Sequence, residues 1–378
     1  MSRKVRIGID VGGTFTDAVV IDDATYEIIG KAKIPTPHHA EKGVAAGIVT
    51  VIKKVMEENG IQPEEVAFIA HGTTQATNAL LEGDVAKVGI IGMGTGLEGE
   101  RAKSETRIGD IELAPGKFLH TAHTFLDAAR LDEAAIDGAV YALLKDGAEV
   151  FVASESYSVV DPSHEMAVID KAANRGILAT GGYEISQLYG LKARTRTAVV
   201  NAALIPKMVE TADLTEKSVR EAAIRKPLMI MRCGGGVRDV DEIRKRPILT
   251  MLSGLAAGVA GALMYEKVTD GIFFEVGGTS TDISVIKDGK VMVKNATVGG
   301  RKLYPTSWDV RTLGIAGGSM IVSRDGAIAD VGPRSVQIAK KEYELFASPG
   351  EMEAPGLKQI ALREGGWPDK AEVRCTKG

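Results

Sequence analysis

The chain has 378 residues, a formal net charge of −4 and an isoelectric point near 6.0, which argues against nucleic acid or anionic membrane as a partner. Its composition is that of an ordinary globular protein, and its length predicts two domains with a small appendage. Two cysteines, Cys233 and Cys375, are too few for a disulfide framework or a metal cluster, and with no signal peptide and no long apolar run they favour the reducing cytoplasm.

The first half of the chain predicts three strands followed by alternating helices and strands. Residues 5–10 and 18–22 are rich in β-branched side chains and flank a glycine turn, and residues 28–34 supply the third strand. Residues 94–117 are glycine-rich and charged without a clear period, which predicts a long functional loop. Apolar spacing predicts further elements at 40–58 (helix), 66–72 (strand), 73–83 (helix), 86–92 (strand), 132–145 (helix), 149–154 (strand) and 162–175 (helix).

The second half repeats the order of strands found in the first. Residues 271–276 and 282–289 predict a hairpin, and the Asp288-Gly289 turn leads into a third strand at 290–294. Both halves therefore contain strand, glycine turn, strand, turn and strand, which indicates a duplication at the scale of a domain. The elements predicted before this hairpin are 196–210 (helix), 215–224 (helix), 228–233 (strand) and 254–265 (small-residue helix).

The two glycine turns are nearly identical. Residues 10–17 read DVGGTFTD and residues 275–282 read EVGGTSTD. A Gly-Gly pair lets the backbone approach a ligand closely, and successive N–H groups in such a turn suit phosphate oxygens. One turn alone is equally well explained as a tight hairpin, but the matching pair predicts two facing phosphate sites around one nucleotide. The predicted phosphate-binding residues are Gly12, Gly13, Thr14, Thr16, Gly277, Gly278, Thr279 and Thr281.

Three further features accompany these turns. Asp10 cannot bind phosphate itself, because like charges repel, so we expect it to hold Mg²⁺ or to orient the attacking group. Asp17 and Asp282 either hydrogen-bond their turns or touch the ligand. Residues 313–320 (LGIAGGSM) predict the start of a helix. Its glycines either form a flat backbone surface for a nucleoside or belong to a loop without a ligand. The residues assigned to the nucleoside are Gly314, Gly317, Gly318 and Ser319.

The motifs together resemble the family of A-type hydantoinases and 5-oxoprolinases, within the actin, sugar kinase and Hsp70 ATPase superfamily. The string HGTTQATNALLEG at 71–83 is the most specific to the family. Departures are Glu275, where the family usually has Asp, and Leu255, where it usually has Pro. The family normally continues for a few hundred residues beyond the segment that matches here. The remaining matching stretches are 9–17, 161–165, 196–206, 252–262, 275–282 and 314–320.

The resemblance implies a fold of two duplicated ribonuclease H-like (actin-like ATPase) domains, with mixed sheets flanked by helices and a nucleotide cleft between them. We place the N-terminal domain at 1–185, the second at 186–340, and a C-terminal helical tail at 341–378.

The resemblance also implies a reaction. ATP and Mg²⁺ would be used to phosphorylate a lactam or imide carbonyl oxygen, so that water opens the ring, often with a separate hydantoinase B-type partner. We assign catalytic roles to Asp10, Thr74 and Glu275, although Thr74 is equally explained as a helix cap. His71 is better explained as structural, and Cys233 as a buried thiol. Alternatives are a small-molecule kinase or a nucleotide-gated regulator, and a homo-oligomer is left open.

Overall fold

A computed structural model describes residues 3–37, 44–278, 280–324 and 327–335. Thr279, Cys375 and the predicted tail at 341–378 lie outside the described residues. Across these ranges, each helix is too short or too polar to cross a membrane.

The elements of the first half follow the predicted alternation. They are β1 (Val5–Val11), β2 (Phe15–Asp22), β3 (Ile28–Pro35), α1 (Val44–Glu58), β4 (Val66–Thr73), α2 (Gln75–Glu82), β5 (Val88–Gly94), α3 (Gly96–Thr106), β6 (Ile111–Ala114), β7 (Lys117–Leu119), β8 (Thr121–Asp127), α4 (Glu133–Lys145), β9 (Val150–Glu155), α5 (Ser163–Ala173), β10 (Ala179–Gly181) and α6 (Gly182–Ile185).

The second half begins with a long helix and continues mostly as strands. Its elements are α7 (Leu191–Glu221), β11 (Leu228–Met231), β12 (Val237–Asp239), α8 (Val240–Lys245), α9 (Ser253–Glu266), β13 (Gly271–Val276), β14 (Thr281–Lys287), β15 (Lys290–Val291), β16 (Val293–Val298), β17 (Arg301–Trp308), β18 (Val310–Leu313), β19 (Ser319–Arg324) and β20 (Ala327–Ser335).

The largest sheet has six strands in the order β12-β11-β4-β1-β2-β3. β1 pairs antiparallel with β2 and parallel with β4, and β11 pairs parallel with β4. Alternate residues of β1 are buried, as period-two hydrophobicity requires, and α1 packs its apolar face against them. The order places the end of β1 at the centre of the sheet, where Asp10 lies. Because β11 and β12 follow residue 185, this sheet spans the predicted domain boundary.

A second sheet of four parallel strands, in the order β10-β9-β5-β8, lies within the first half. The prediction of a long loop at 94–117 is wrong, because α3, β6 and β7 occupy that segment. α3 escapes detection because it buries only small or polar positions, namely Gly99, Ala102 and Thr106. The two helices predicted at 196–210 and 215–224 are one helix, α7, which continues through Pro206.

The third sheet repeats the first hairpin. β13 pairs antiparallel with β14, which also pairs with β15 and β18. Glu275 lies opposite Asp282 in the register, as Asp10 lies opposite Asp17 in the first hairpin. The predicted third strand at 290–294 is divided between β15 and β16. Mixed sheets flanked by helices confirm the predicted α/β class.

Two buried ionisable side chains, Glu165 on α5 and Arg194 on α7, both hydrogen-bond to the backbone of Glu155. Arg194 and Glu165 are both fully buried, and a Cβ on Gly182 would lie 3.3 Å from an atom of each. Arg194 donates hydrogen bonds to the carbonyl oxygens of Leu188 (3.1 Å) and Ser156 (2.9 Å) and to that of Glu155. Glu165 accepts the backbone N–H groups of Glu155 (2.8 Å) and Tyr183 (3.0 Å). The pair therefore ties together the loops that follow β9 and β10.

Candidate functional site

One cleft is lined by both glycine turns. Its volume is about 730 Å³, including the part open to solvent. Residues 265 positions apart in sequence thus meet in space, as the repeat predicts. The lining residues are Asp10, Gly12, Gly13, Thr14, Phe15, Asp17, Lys33, Thr74, Gly254, Leu255, Glu275, Val276, Gly277, Gly278, Ser280 and Asp282.

The two turns have the same backbone closure and touch each other. The Gly12 N–H donates to the Phe15 carbonyl oxygen at 2.9 Å, and the Gly277 N–H donates to the Ser280 carbonyl oxygen at 2.9 Å. A Cβ on Gly278 would lie 2.5 Å from the Thr14 Oγ1 atom. Since real Cβ atoms do not approach this closely, a residue with a side chain at 278 would push the turns apart.

Asp10 lies where β1 enters the first turn, with an oxygen that makes no hydrogen bond. Its Oδ1 atom is buried without a partner. A Cβ on Gly72 or Gly254 would lie 3.2 or 3.1 Å from this oxygen, so β4 and α9 both close in on the carboxyl group. Burial raises the pKa of Asp10 to about 6, and the charge of Asp17 adds to the rise.

Glu275 holds the corresponding position in the second turn. Its Oε2 atom is also buried without a partner. Burial, together with the negative charges of Asp10, Asp282 and Asp17, raises the pKa of Glu275 to about 7. Burial also raises the pKa of Asp282, although the Thr312 hydroxyl donates to that carboxylate at 2.5 Å. Two unsatisfied carboxyl oxygens at one cleft indicate a place for a cation or a proton donor.

Lys33 provides positive charge at the cleft. Its Nζ atom lies 3.0 Å from Asp17 Oδ1 and 4.5 Å from the centre of the Phe15 ring. Among the described lining residues it is the only basic one, facing Asp10, Asp17, Glu275 and Asp282. Lys33 was not identified from the sequence, since one lysine in a strand carries no distinctive signal. Asp17 and Asp282, whose orientation the sequence left open, both line the cleft.

Two helices begin at the cleft, and helix N-termini favour anions. Thr74 is the N-cap residue of α2 but makes no side-chain capping bond. Its hydroxyl instead lies 3.4 Å from the Val11 carbonyl oxygen and 3.4 Å from Asn78 Nδ2. Thr74 therefore occupies the predicted N-cap position without capping the helix through its hydroxyl, and its side chain lines the cleft. The second helix is α9, whose first turn contributes Gly254 and Leu255 to the lining.

Thr16 and Thr281 support the turns without lining the cleft. Thr16 is fully buried, and its hydroxyl lies 3.1 Å from that of Thr36. The Thr281 hydroxyl donates to the Ile315 carbonyl oxygen at 2.6 Å. Their placement does not support the predicted contacts with phosphate. Thr279, the remaining threonine of the set, lies outside the described residues.

The glycine segment assigned to a nucleoside packs behind the second turn. The N–H groups of Gly317 and Gly318 donate to the carbonyl oxygens of Gly277 (3.1 Å) and Gly278 (2.8 Å). The Ser319 hydroxyl accepts a hydrogen bond from the Ala316 N–H, and Ser319 begins strand β19. The prediction of a helix start at 313–320 is therefore wrong. Gly314, with these residues, is absent from the cleft lining. Their backbone supports the turn, and a nucleoside contact stays a prediction.

Two other polar residues lie away from the cleft. Burial lowers the pKa of His71 to about 4, so the imidazole is neutral at physiological pH. Cys233 is buried, and burial raises the pKa of its thiol. Neither lines the cleft. Within the described residues, no group of three or more His, Cys, Asp or Glu side chains is arranged to hold a metal ion.

The raised pKa of Glu275 predicts how the stability of the ligand-free protein depends on pH. Its folded pKa of about 7 exceeds its ordinary value of 4.5, so the stability that it contributes below pH 4.5 is lost as the pH rises to 7. We expect Glu275→Gln to raise the melting temperature above pH 7, by about 2 °C or more, and to have little effect near pH 4. Scanning calorimetry across this range measures the difference. Glu57→Gln, at an exposed position on α1, is the control and should leave the pH dependence unchanged.

Two models of one protein family match the chain in succession. The model described as the hydantoinase/oxoprolinase N-terminal region matches residues 6–176, and the model described as hydantoinase/oxoprolinase matches residues 194–354. The alpha subunit of the caprolactamase of Pseudomonas jessenii is 28% identical over an alignment of 363 positions, and the alignment covers 88% of this chain and 51% of that relative.

Two solved structures are similar to the chain. A nucleotide-free acetone carboxylase, described as performing ATP-dependent acetone carboxylation, has a TM-score of 0.68 at 21% identity and covers 89% of this chain. The ATP-dependent caprolactamase from Pseudomonas jessenii has a TM-score of 0.61 at 25% identity and covers 87% of this chain. In both cases the match covers 51% of the other chain, so this chain spans about half the length of these relatives.

Proposed function

The chain belongs to the hydantoinase/oxoprolinase family and has the predicted actin-like ATPase fold, and from this premise we propose that it is one component of an ATP-dependent cyclic amidohydrolase. It would phosphorylate the carbonyl oxygen of a hydantoin, 5-oxoproline or similar lactam, which drives opening of the ring. The observation that carries the proposal is the single cleft lined by both DVGGT-type turns. A relative named caprolactamase supports the cyclic-amide substrate class.

The turns suit the phosphates of ATP. Gly12, Gly13, Gly277 and Gly278 bring backbone to the cleft surface without side chains, and Thr14 supplies a hydroxyl beside them. Phosphoryl transfer needs little covalent chemistry from the protein, so positioning and electrostatics supply most of the rate. Two turns that line the same cleft would together hold the transferred group in line with its acceptor.

The acidic lining supports a requirement for Mg²⁺ with the nucleotide. Four carboxyl groups and one lysine would repel a bare polyphosphate. The unsatisfied oxygens of Asp10 and Glu275 fit a hard cation, and Mg²⁺ is usually held by one or two carboxylates plus substrate phosphates. This mode of binding needs no cluster of three protein ligands. When bound, Mg²⁺ would neutralise charge on the phosphates; Asp10 is the residue that we assign to it.

The three proposed catalytic residues have separate tasks. Asp10 would fix the cation or orient the attacking oxygen, since its carboxyl group is held from two sides by Gly72 and Gly254. Glu275, with a pKa of about 7, can accept or donate a proton near neutral pH. Thr74 lies at the N-terminus of α2, where its hydroxyl and the helix end would stabilise negative charge on the transferred phosphoryl group.

A partner and a compartment complete the proposal. The chain covers about half of the caprolactamase alpha subunit, and an alpha subunit implies a second kind of subunit in that enzyme. We propose that a hydantoinase B-type partner completes ring opening in the cytoplasm. The family relationship supports the partner, and a composition with only two cysteines supports the compartment.

An isotope experiment tests the proposed reaction. The full chain is incubated with Mg²⁺, ATP and a panel of lactams labelled with ¹⁸O in the carbonyl group, with and without a candidate B-type partner. If the carbonyl oxygen is phosphorylated and then leaves with phosphate, the label must appear in the released phosphate. We expect labelled phosphate only when the substrate lactam is present, with the Asp10→Asn variant as the inactive control.

Other outcomes would select a different function. Lactam-dependent phosphate release without label would contradict phosphorylation of the carbonyl oxygen. Transfer of the γ-phosphate to a hydroxyl compound would identify a small-molecule kinase. Tight binding of ATP without turnover, in the presence of the B-type partner, would identify a nucleotide-gated regulator.

A further inference from the structure

Helix α9 lies between the two hairpins of the cleft and carries glycines where it meets each carboxyl group. Gly254 and Gly258 are four residues apart, so they share one face of the helix. Gly254 faces Asp10 of the first hairpin, and Gly258 faces Glu275 of the second. The small residues of this helix predicted close packing, but the sequence did not identify what packs against it.

The contact at Gly258 is the tighter of the two. A Cβ there would lie 2.4 Å from Glu275 Oε2 and 3.1 Å from Phe273 Cζ, whereas a Cβ on Gly254 would lie 3.1 Å from Asp10 Oδ1. The colliding atom at 258 is the end of a flexible side chain. The protein can therefore accommodate a methyl group by rotating Glu275, which moves the carboxyl group and preserves the fold.

We propose that Gly258 is a positioning residue, whose missing side chain lets the Glu275 carboxyl group lie against α9 and face the cleft. The long side chain of Glu275 therefore depends on the absence of a side chain at residue 258. A shorter acid at 275 would end near the present position of Glu275 Cδ, 3.3 Å from a Cβ at 258, so it would depend less on glycine there. This inference rests on the proposed function only in assigning the cleft to ATP.

A double-mutant cycle tests the proposal. Gly258→Ala is made in the wild-type protein and in the Glu275→Asp variant, which is one methylene shorter. We expect Gly258→Ala to lower kcat/KM for ATP about tenfold in the wild-type protein and less than about threefold in the Glu275→Asp background. Gly261→Ala is the matched control, because the space around this glycine of the same helix is open. It should change kcat/KM less than about twofold.

Melting temperatures of the ligand-free variants give a second readout. Alanine in place of a helical glycine ordinarily raises stability. That gain should appear in Gly261→Ala, and in Gly258→Ala only when residue 275 is Asp. An equal effect of Gly258→Ala in both backgrounds, on both kcat/KM and melting temperature, would overturn the proposal. If the wild-type protein neither binds nor hydrolyses ATP, the proposed function fails, while the melting temperatures still decide whether residues 258 and 275 are coupled.

Discussion

Replacing Asp10 by Asn is expected to reduce ATP turnover by about 100- to 1000-fold. The carboxyl group is buried at the end of β1, and its Oδ1 atom has no partner within the protein. An amide of the same shape keeps the contacts with Gly72 and Gly254 but removes the negative charge that would hold Mg²⁺. Phosphate release under saturating lactam measures the effect.

The same substitution should stabilise the ligand-free protein. The pKa of Asp10 in the folded protein, about 6, exceeds its ordinary value of 3.8. Ionisation of this carboxyl group therefore destabilises the fold as the pH rises from about 4 to 6, and the cost persists at higher pH. Asp10→Asn should therefore raise the melting temperature at pH 8 while activity falls, which separates loss of function from unfolding. Asp22→Asn, at the far end of β2, is the control and should leave turnover within about twofold. An active Asp10→Asn protein would exclude the assigned role.

Replacing Arg194 by Met is expected to lower the free energy of unfolding by about 3–5 kcal/mol. Methionine retains much of the packing but leaves the carbonyl oxygens of Leu188, Glu155 and Ser156 without their donor. It also leaves Glu165 buried without a nearby cation, so the pKa of Glu165, already raised to about 7 by burial, should rise further. Urea denaturation measures the loss.

A surface arginine provides the control for Arg194. Arg175 and Asp137 form a partly exposed ion pair at 2.8 Å, so Arg175→Met should lower the free energy of unfolding by less than about 1 kcal/mol. Arg194→Lys should rescue little, because one ammonium group cannot reach carbonyls on two loops as a planar guanidinium does. Equal losses for the two methionine variants would show that the buried network contributes no special stability.

The repeated glycine turn was the most informative feature of the sequence. Identical chemistry in two hairpin contexts predicted that the turns would meet at one ligand, and both line the same cleft. Local patterns also located about half of the described strands, among them β1 and β14, in which buried and exposed residues alternate. The repeated order of strands and turns indicated the duplication, and the family resemblance supplied the actin-like ATPase fold, which local patterns could not establish.

The wrong and missed predictions have physical causes that the order of residues along the chain does not reveal. α3 has little apolar periodicity because its buried face is made of small residues, so its segment resembles a loop. The segment at 313–320 uses its N–H groups to bond the second turn and not to begin a helix, a choice decided by contacts distant in sequence. The Gly258–Glu275 contact was equally hidden, although two glycines spaced four residues apart on a predicted helix were the available signal.

The bonds from Gly317 and Gly318 to the second turn involve peptide groups alone. A different side chain at Gly317 would leave the donor N–H groups of this connection in place, whereas Gly278 of the turn itself has no room for a side chain. Only an imino acid, which lacks the donor hydrogen, would cut it at these positions.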